Sequence, residues 1–245
     1  MKLAAYQAPL LPGGSMAALT LISDRVKWCE REGVDILCCP EAVLGGLADD
    51  AQCPADFAID AASGRLEASL APLASKSVTT IIGFTETAGA GTLYNAAAVF
   101  HGGKVFGIYR KRHPAIRRSV YSAGDQSPVF TVGALWFGIM ICNDSNDPAL
   151  AADMAARGAS VIFVPSNNSL PPERADVVAL SRAVDIARAS DNAVMIVRAD
   201  VGGRTADRVS FGSSAIVDAR GTVLRAGEAL KEDILVAEVT NPPPL

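Results

Sequence analysis

The sequence predicts an α/β fold with a mixed sheet, and two observations carry this prediction. Short apolar runs typical of buried strands alternate with stretches in which apolar residues recur every three or four positions, as in amphipathic helices. The turn at His101-Gly102-Gly103 lies between two apolar runs, which favours an antiparallel hairpin. A length of 245 residues suits one domain, residues 1–245.

The first half of the chain begins with a predicted strand at residues 3–7. A helix opens at Ser15, because Leu19, Ile22, Val26 and Cys29 follow at helical steps. Residues 34–39 form a second predicted strand, which Pro40 ends, and a weaker helical pattern spans residues 58–74. Three further strands are predicted at residues 79–84, 94–100 and 104–109.

The second half repeats this alternation. Asp147 is a good N-cap with Pro148 at the first helical position, and Gly158 is expected to end that helix. A second helix is predicted over residues 174–189. The remaining apolar runs predict strands at residues 134–141, 160–164, 193–198, 210–217 and 234–239.

Composition excludes several classes of function. The formal net charge of −4 argues against nucleic acid and anionic membrane as partners. No apolar run reaches the length of a membrane span, and the first residues lack a secretory signal. Five cysteines without metal-type spacing indicate free thiols, so we expect a cytoplasmic protein. Two histidines argue against a multi-histidine metal site.

Cys142 lies at a predicted junction between a strand and a helix. A buried cysteine that packs as a small hydrophobe is one interpretation. The other is a nucleophile, because backbone N–H groups and the helix dipole at such a junction favour thiolate. A base or a cation is still needed to activate the thiol.

Glu41 and Lys111 stand at the ends of two other apolar segments. A glutamate at a strand end can simply cap or pair with a surface lysine, and Lys111 lies in a basic run that can be solvated. The functional interpretation makes Glu41 a proton acceptor and donor, and Lys111 a fixed cation for a thiolate or oxyanion. His113 raises a rival Cys–His pair, and Asn167 either lines a pocket or forms a turn with Asn168.

Three motifs together resemble those of the carbon–nitrogen hydrolase (nitrilase/amidase) superfamily. They are Cys39-Pro40-Glu41, Tyr109-Arg110-Lys111-Arg112-His113-Pro114 and Gly138-Ile139-Met140-Ile141-Cys142-Asn143-Asp144. The likeness covers nearly the whole chain in the right order. It implies a four-layer α-β-β-α sandwich with mixed sheets, usually assembled as a homodimer or higher homo-oligomer.

The resemblance also implies a reaction. Glu41 would deprotonate Cys142, which attacks a small linear amide or carbamoyl compound, while Lys111 and the Asn143 N–H hold the oxyanion. Water would then hydrolyse the thioester, so no cofactor or metal is expected. Nitrile hydrolysis is less expected, because Asn143 stands where nitrilases commonly have Trp-Glu.

The sequence departs from the family pattern at several positions. Arg117 aligns where many members carry a second glutamate, Asp125 is one candidate to supply that carboxylate from elsewhere, and Ala199-Asp200 replaces a usual Ala-Asn pair. Two hypotheses follow for Arg117: that it binds a substrate carboxylate, or that its presence marks a catalytically silent binding protein of the same fold. Residues 44–57 and 166–173 are the expected pocket walls.

Overall fold

Two mixed β-sheets form the centre of the protein. The structure is a computed structural model that describes residues 1–15, 17–115, 119–206 and 208–239. The described strands of the larger sheet are β1 (Lys2–Pro9), β2 (Ile36–Cys38), β3 (Ile59–Asp60), β4 (Thr79–Ala88), β5 (Thr92–His101), β6 (Lys104–Arg110), β11 (Val201–Arg204), β12 (Val209–Phe211) and β15 (Asp233–Glu238). Those of the smaller sheet are β7 (Phe130–Val132), β8 (Leu135–Ile139), β9 (Val161–Pro165), β10 (Met195–Ala199), β13 (Ala215–Val217) and β14 (Val223–Ala226).

Each sheet has a parallel centre and antiparallel flanks. The larger sheet runs β12-β11-β1-β2-β4-β5-β6, with β15 paired to β1 and β3 paired to β4. Within it β1, β2 and β4 are parallel, whereas β4, β5 and β6 form antiparallel hairpins. The smaller sheet runs β14-β13-β10-β9-β8-β7, with β10, β9 and β8 parallel. Parallel neighbours bring the carboxyl ends of β2, β8, β9 and β10 toward the same region.

Helices cover the outer faces of both sheets, so the predicted four-layer α-β-β-α sandwich is confirmed. They are α1 (Ala18–Glu32), α2 (Arg65–Leu70), α3 (Pro148–Ala156) and α4 (Asp176–Asn192). On α1, the predicted apolar face is buried against the larger sheet, whereas α3 and α4 pack on the smaller sheet. None of the helices in the described ranges is long and apolar enough to cross a membrane.

Strand β1 contributes side chains to two hydrophobic clusters, one on each face of the larger sheet. Leu3 and Ala5 join the cluster between the two sheets, which includes Ile139, while Ala4 and Tyr6 join the cluster under α1. Successive side chains of a strand point to opposite faces, so a strand buried on both faces must be apolar throughout. This explains why β1 and β9 read as continuous apolar runs.

Two predicted elements are wrong. The helix predicted over residues 58–74 is instead the short strand β3, two 3-10 turns and the six-residue α2. Gly64, with φ +75°, breaks the helical path, and Pro72 lies in the last turn. The single strand predicted over residues 210–217 is two strands in different sheets, separated at Gly212.

The chain crosses between the sheets at Gly212. This residue has φ +81°, and a Cβ there would lie 2.6 Å from the side chain of Gln7. The close contact and the left-handed backbone both require glycine, and they turn the chain from β12 of the larger sheet to β13 of the smaller one. Apolar residues flank the crossing, Phe211 on one side and residues 215–217 on the other, so the segment resembles one strand despite the polar Ser213 and Ser214 between them.

Candidate active site

Glu41, Lys111 and Cys142 meet where strands of both sheets end. Glu41 follows β2, Lys111 is the first residue after β6, and Cys142 follows β8. Lys111 Nζ lies 2.5 Å from Glu41 Oε1, and both side chains are almost completely buried. The charges of Glu41 and Lys111 both act on the Cys142 thiol. The structure thus brings the three predicted residues together.

The Glu41 carboxylate is held by donors from three segments. Its Oε1 accepts hydrogen bonds from Lys111 Nζ and from Asn95 Nδ2 on β5, the latter at 2.7 Å. Its Oε2 accepts the backbone N–H of Asn167 at 3.0 Å. The Glu41 backbone N–H donates to Ser166 O at 3.2 Å. A carboxylate with this many fixed partners has one rotamer and a defined direction for proton transfer.

The loop that carries Glu41 lies directly against β4. A Cβ at Gly83 would lie 2.4 Å from both Pro40 O and Ala42 N, so only glycine allows this approach. Ala42 has φ +45°, a left-handed conformation that is unfavourable for alanine. Strain of this kind persists only where the surroundings enforce it, and here it directs Glu41 inward.

Lys111 is a permanent cation in this site. Burial alone would lower its pKa, but the adjacent Glu41 carboxylate outweighs this effect, and the pKa lies above its ordinary value. Its backbone is fixed as well, since its N–H donates to Asn95 O and its carbonyl accepts the N–H of Gly124, both at 2.8 Å. An ammonium has three donors, and Glu41 uses one of them. The others suit an oxyanion.

Cys142 starts a 3-10 turn, Cys142–Asn146, with φ +47°. The residue as a whole is partly buried, and its thiol is desolvated. Burial of the thiol, followed by the Glu41 charge, raises its pKa to about 12, against the lowering effects of Lys111 and Arg198. The effect of the junction on the thiolate stays a prediction, and burial acts against it. The resting sulfur is a thiol that needs a base.

Two buried side chains, Asp144 and Arg198, fix the turn that carries Cys142. The Asp144 carboxylate accepts hydrogen bonds from Tyr109 Oη at 2.8 Å, His113 N at 2.7 Å and Ile141 N at 3.0 Å. These bonds tie the turn to the end of β6, which precedes Lys111. The nucleophile and the lysine are therefore positioned by a common carboxylate.

Arg198 on β10 supports the turn from the other side. It is completely buried and paired with Asp185 of α4 through two hydrogen bonds of 2.6 and 2.7 Å. It also donates to Ser145 Oγ at 3.1 Å and to Ser166 Oγ at 2.6 Å. Ser145 Oγ in turn donates to Cys142 O at 2.8 Å. One guanidinium thus connects the nucleophile turn with the segment that contacts Glu41.

A cavity of about 400 Å³ adjoins the site at Asn167. Leu10, Leu11 and Leu47 provide apolar walls, and Asp50 and Arg208 form an ion pair of 2.9 Å at the cavity wall. The cavity touches both expected pocket segments, residues 44–57 and 166–173. Since Asn167 N also donates to Glu41, the predicted site residue Asn167 lies between cavity and triad.

The remaining residues predicted for the site are Asn143, His113, Asp125 and Arg117. Asn143 is the second residue of the Cys142 turn, where helical N–H groups lack intrahelical acceptors, and its side chain donates to His113 O at 3.2 Å. The His113 ring pairs with Asp147 at 3.0 Å rather than with Cys142, so the Cys–His pair is not formed. Asp125 is exposed and its carbonyl accepts Arg112. Arg117 lies outside the described residues.

Sequence reasoning missed the groups that orient the triad. Asn95, Asp144, Arg198 and Asp185 each fix one of its members or the turn beside it. Their only sequence signal is a polar residue inside an apolar run, as at Asn95 and Arg198. Within the described ranges, no group of three or more His, Cys, Asp or Glu side chains is placed to hold a metal ion.

Known proteins share both the sequence pattern and the fold. The family model described as carbon-nitrogen hydrolase matches residues 2–242. A nitrilase of Pyrococcus abyssi is 34% identical over 149 residues, which cover 60% of this chain and 54% of that protein. The chain therefore spans about half the length of that relative. An (R)-stereoselective amidase of a Pseudomonas species is 28% identical over 227 residues, covering 91% of this chain and 80% of its own.

A solved structure matches over nearly the whole chain. It is a glutamate-to-glutamine mutant of the amidase from Nesterenkonia sp. AN1, with covalent addition of the acetamide moiety of fluoroacetamide at the active-site cysteine. The TM-score is 0.82 at 22% identity, with coverage of 98% of this chain and 90% of that one. At this level of identity the match supports the fold alone.

Proposed function

Because this chain belongs to the carbon–nitrogen hydrolase family, we propose that it cleaves the C–N bond of a small linear amide or carbamoyl compound through a Cys142 thioester. The observation that carries the proposal is the buried contact of 2.5 Å between Lys111 Nζ and Glu41 Oε1 beside a protonated thiol. It supplies a base, a cation and a nucleophile in one site.

Acylation starts with transfer of the Cys142 proton to Glu41. The sulfur forms a bond to the carbonyl carbon, and Lys111 Nζ and the Asn143 N–H stabilise the negative charge on oxygen. Collapse of this intermediate breaks the C–N bond. Glu41 gives its proton to the leaving nitrogen, so ammonia or an amine departs and the acyl group stays on sulfur.

Deacylation uses the same groups on a water molecule. Glu41 accepts a proton from water as its oxygen attacks the thioester carbon, and Lys111 again stabilises the oxyanion. The C–S bond then breaks, the carboxylic acid is released, and Glu41 returns the proton to sulfur. Over the whole cycle Glu41 accepts a proton twice and gives it up twice, so it ends in its starting state. The hydrogen bonds that fix its carboxylate keep it in position for each of these transfers.

The preference for an amide over a nitrile rests on two observations. The residue after the nucleophile is Asn143 rather than the Trp-Glu common in nitrilases. In addition, the similarity to the Pseudomonas amidase extends over 91% of this chain, whereas that to the Pyrococcus nitrilase extends over 60%. The substrate is small because the adjoining cavity holds about 400 Å³.

Ammonia release from a panel of small amides, carbamoyl amines and nitriles tests the proposal. We expect turnover of at least one amide or carbamoyl compound that is lost in Cys142→Ala and in Glu41→Gln. The matched control is Cys29→Ala, which removes a thiol of α1 that packs under the larger sheet and should retain activity. Intact-protein mass after rapid quenching should show an acyl adduct that maps to Cys142.

Three results would contradict the proposal. The first is equal turnover in the native protein and in Cys142→Ala, and the second is an adduct on another cysteine. The third is activity restricted to nitriles. Equal loss of activity in Cys29→Ala would show that the loss in Cys142→Ala is not specific to the site.

A further inference from the structure

The carboxylate of Asp200 is completely buried beside the active site and accepts five hydrogen bonds. Its Oδ1 accepts the backbone N–H groups of Asn168 and Val201, each at 2.9 Å. Its Oδ2 accepts Asn168 Nδ2 at 3.0 Å, Ser213 N at 2.9 Å and Ser213 Oγ at 2.6 Å. An ionised carboxylate can only accept, so every group that faces it must donate.

This network determines which way the Asn168 amide points. One Nδ2 hydrogen goes to Asp200, and the other goes to Ser213 Oγ at 2.9 Å, since the Ser213 hydroxyl hydrogen is already donated to Asp200. Both donors of the amide are used, so Asn168 Oδ1 must face the other way. In the resting site it accepts the S–H of Cys142, with 3.8 Å between Oδ1 and Sγ, and it becomes free for another donor once the sulfur has lost its proton.

Asn168 Oδ1, a hydrogen-bond acceptor, therefore lies beside the sulfur that would react with the substrate. A carbonyl carbon bound to Cys142 Sγ carries its nitrogen within a few ångströms of the sulfur, in reach of Asn168 Oδ1. The preceding residue, Asn167, donates its backbone N–H to Glu41 Oε2, so the same segment contacts the proton donor for the leaving nitrogen. A thiolate gains nothing from a carbonyl oxygen at this position, whereas an N–H group does.

We propose that Asn168, held by Asp200 and Ser213, is a specificity-determining residue whose Oδ1 accepts an N–H of the scissile amide. The inference rests on the proposed function and deepens it. The substrate class is then a primary or secondary carboxamide, or a carbamoyl compound, in which the leaving nitrogen carries hydrogen. A bond to one N–H also turns the nitrogen so that its developing lone pair can face Glu41.

The matched pair of substrates is a primary amide and the p-nitrophenyl ester of the same acyl group. Both need Cys142 and the oxyanion donors, but only the amide offers an N–H. In Asn168→Leu, which has a similar volume and no acceptor, we expect kcat/KM for the amide to fall about tenfold or more, the effect of one hydrogen bond. The value for the ester should stay within about twofold.

Asp200→Asn provides a second test with a different readout. Its oxygen can keep the backbone N–H groups of Asn168 and Val201, but its new NH2 would face the donors Asn168 Nδ2 and Ser213 N, and donors repel each other. The Asn168 amide then turns over and presents N–H to the sulfur. We expect a loss of amide selectivity, together with faster labelling of Cys142 at neutral pH by methyl methanethiosulfonate, because a donor stabilises thiolate.

The outcomes separate this inference from the proposed function. Failure of the native protein to hydrolyse either substrate would overturn the proposed function and this inference with it. Native turnover with unchanged amide kcat/KM in both variants would overturn the inference alone. Equal losses on amide and ester in both variants, with unchanged Cys142 labelling in Asp200→Asn, would assign Asn168 and Asp200 a structural role and also overturn it.

Discussion

Nearby charges shift the pKa of the Cys142 thiol in opposite directions. Lys111 and Arg198 lower its pKa, whereas burial and the Glu41 carboxylate raise it, and the raising effects dominate. Since an activated nucleophile needs either a low pKa or an adjacent base, this site depends on the base. Glu41 is held in place by three donors, whereas the resting S–H donates to Asn168 Oδ1, so proton transfer to Glu41 requires the S–H to rotate.

The raised pKa of Cys142 predicts slow reaction of the resting protein with thiol reagents. The reactive form is thiolate, and with a pKa of about 12 its fraction at neutral pH is minute. We expect labelling by methyl methanethiosulfonate to rise about tenfold per pH unit from pH 7 to 10 without a plateau. Peptide mass spectrometry measures Cys142 and the exposed Cys53 in one digest.

Labelling of Cys142 that levels off below its ordinary pKa of 9.0 would contradict this picture. It would show that the cations beside the sulfur outweigh its burial. Cys53 serves as the internal control for reagent decay, because it is exposed at every pH.

At this scale the sequence predicts the reacting groups but not their supports. Glu41, Lys111 and Cys142 each stand in a local motif beside a strand end, so pattern alone is enough to propose them as the reacting groups. Asn95 and Asp200 act across the fold, on residues 54 and 32 positions away. Nothing local to either residue reveals its partner, since the contact exists only once the sheets have formed.

Strand β4 shows how an element positions the site through a missing side chain. Gly83 faces the Pro40–Ala42 segment, and the carbonyl and N–H of that segment lie where a Cβ would stand. The backbone of the Glu41 loop can approach β4 only because Gly83 has no side chain. The alternation of β4 in the sequence gives no sign of this requirement.

Gly83→Ala should therefore displace Glu41. A methyl group would meet backbone atoms at 2.4 Å, which cannot give way as a flexible side chain can. We expect the free energy of unfolding to fall by about 1–3 kcal/mol and amide turnover to fall with it. Urea denaturation and the ammonia assay measure the two effects.

The matched control is Gly89→Ala at the end of the same strand region. A Cβ there meets nothing within 4 Å, and the residue has no left-handed backbone. Its free energy of unfolding should change by less than about 0.5 kcal/mol. Equal stability of the two variants would show that the Glu41 loop can move away from β4 without cost.

The sequence predicts an element well when its hydrophobic residues face one sheet along its whole length. It predicts the element poorly where the chain passes from one sheet to the other. The pattern of α1 continues over the whole helix, because one face contacts one sheet throughout. Residues 210–217 belong to both sheets in turn, and the change of sheet occurs at Gly212-Ser213-Ser214, between the apolar Phe211 and the apolar residues 215–217. A glycine inside a strand pattern was the available signal.

At the scale of the molecule, Arg198 connects an outer helix layer with the catalytic turn. Its partners Asp185, Ser145 and Ser166 belong to α4, the Cys142 turn and the segment after β9. A buried pair of this kind adds little net stability over an apolar pair, but removal of one partner leaves an unpaired charge.

Arg198→Met should lower the free energy of unfolding by about 3–5 kcal/mol, because Asp185 would remain buried without its cation. Denaturant unfolding measures the change. The control Arg220→Met removes a guanidinium that is 90% exposed, and it should be nearly neutral. A small effect of Arg198→Met would mean that Asp185 gains water or a proton on mutation.

The assembly of the whole protein stays a prediction. The family resemblance implies a homodimer or higher homo-oligomer, and α4 carries Leu180 with 55% of its surface exposed. We expect light scattering after size exclusion to give a mass of at least twice the 25.4 kDa of one chain. A mass equal to one chain at micromolar concentration would contradict this.

A protonated sulfur in the resting site also affects how the protein ages. Peroxide oxidises thiolate to sulfenic acid and then further, and a thiol is a far poorer target. We therefore expect the burial that raises the pKa of Cys142 to slow its oxidation as well. The protein should keep its nucleophile through aerobic storage without added reductant, and become vulnerable only while substrate or a base draws the proton away.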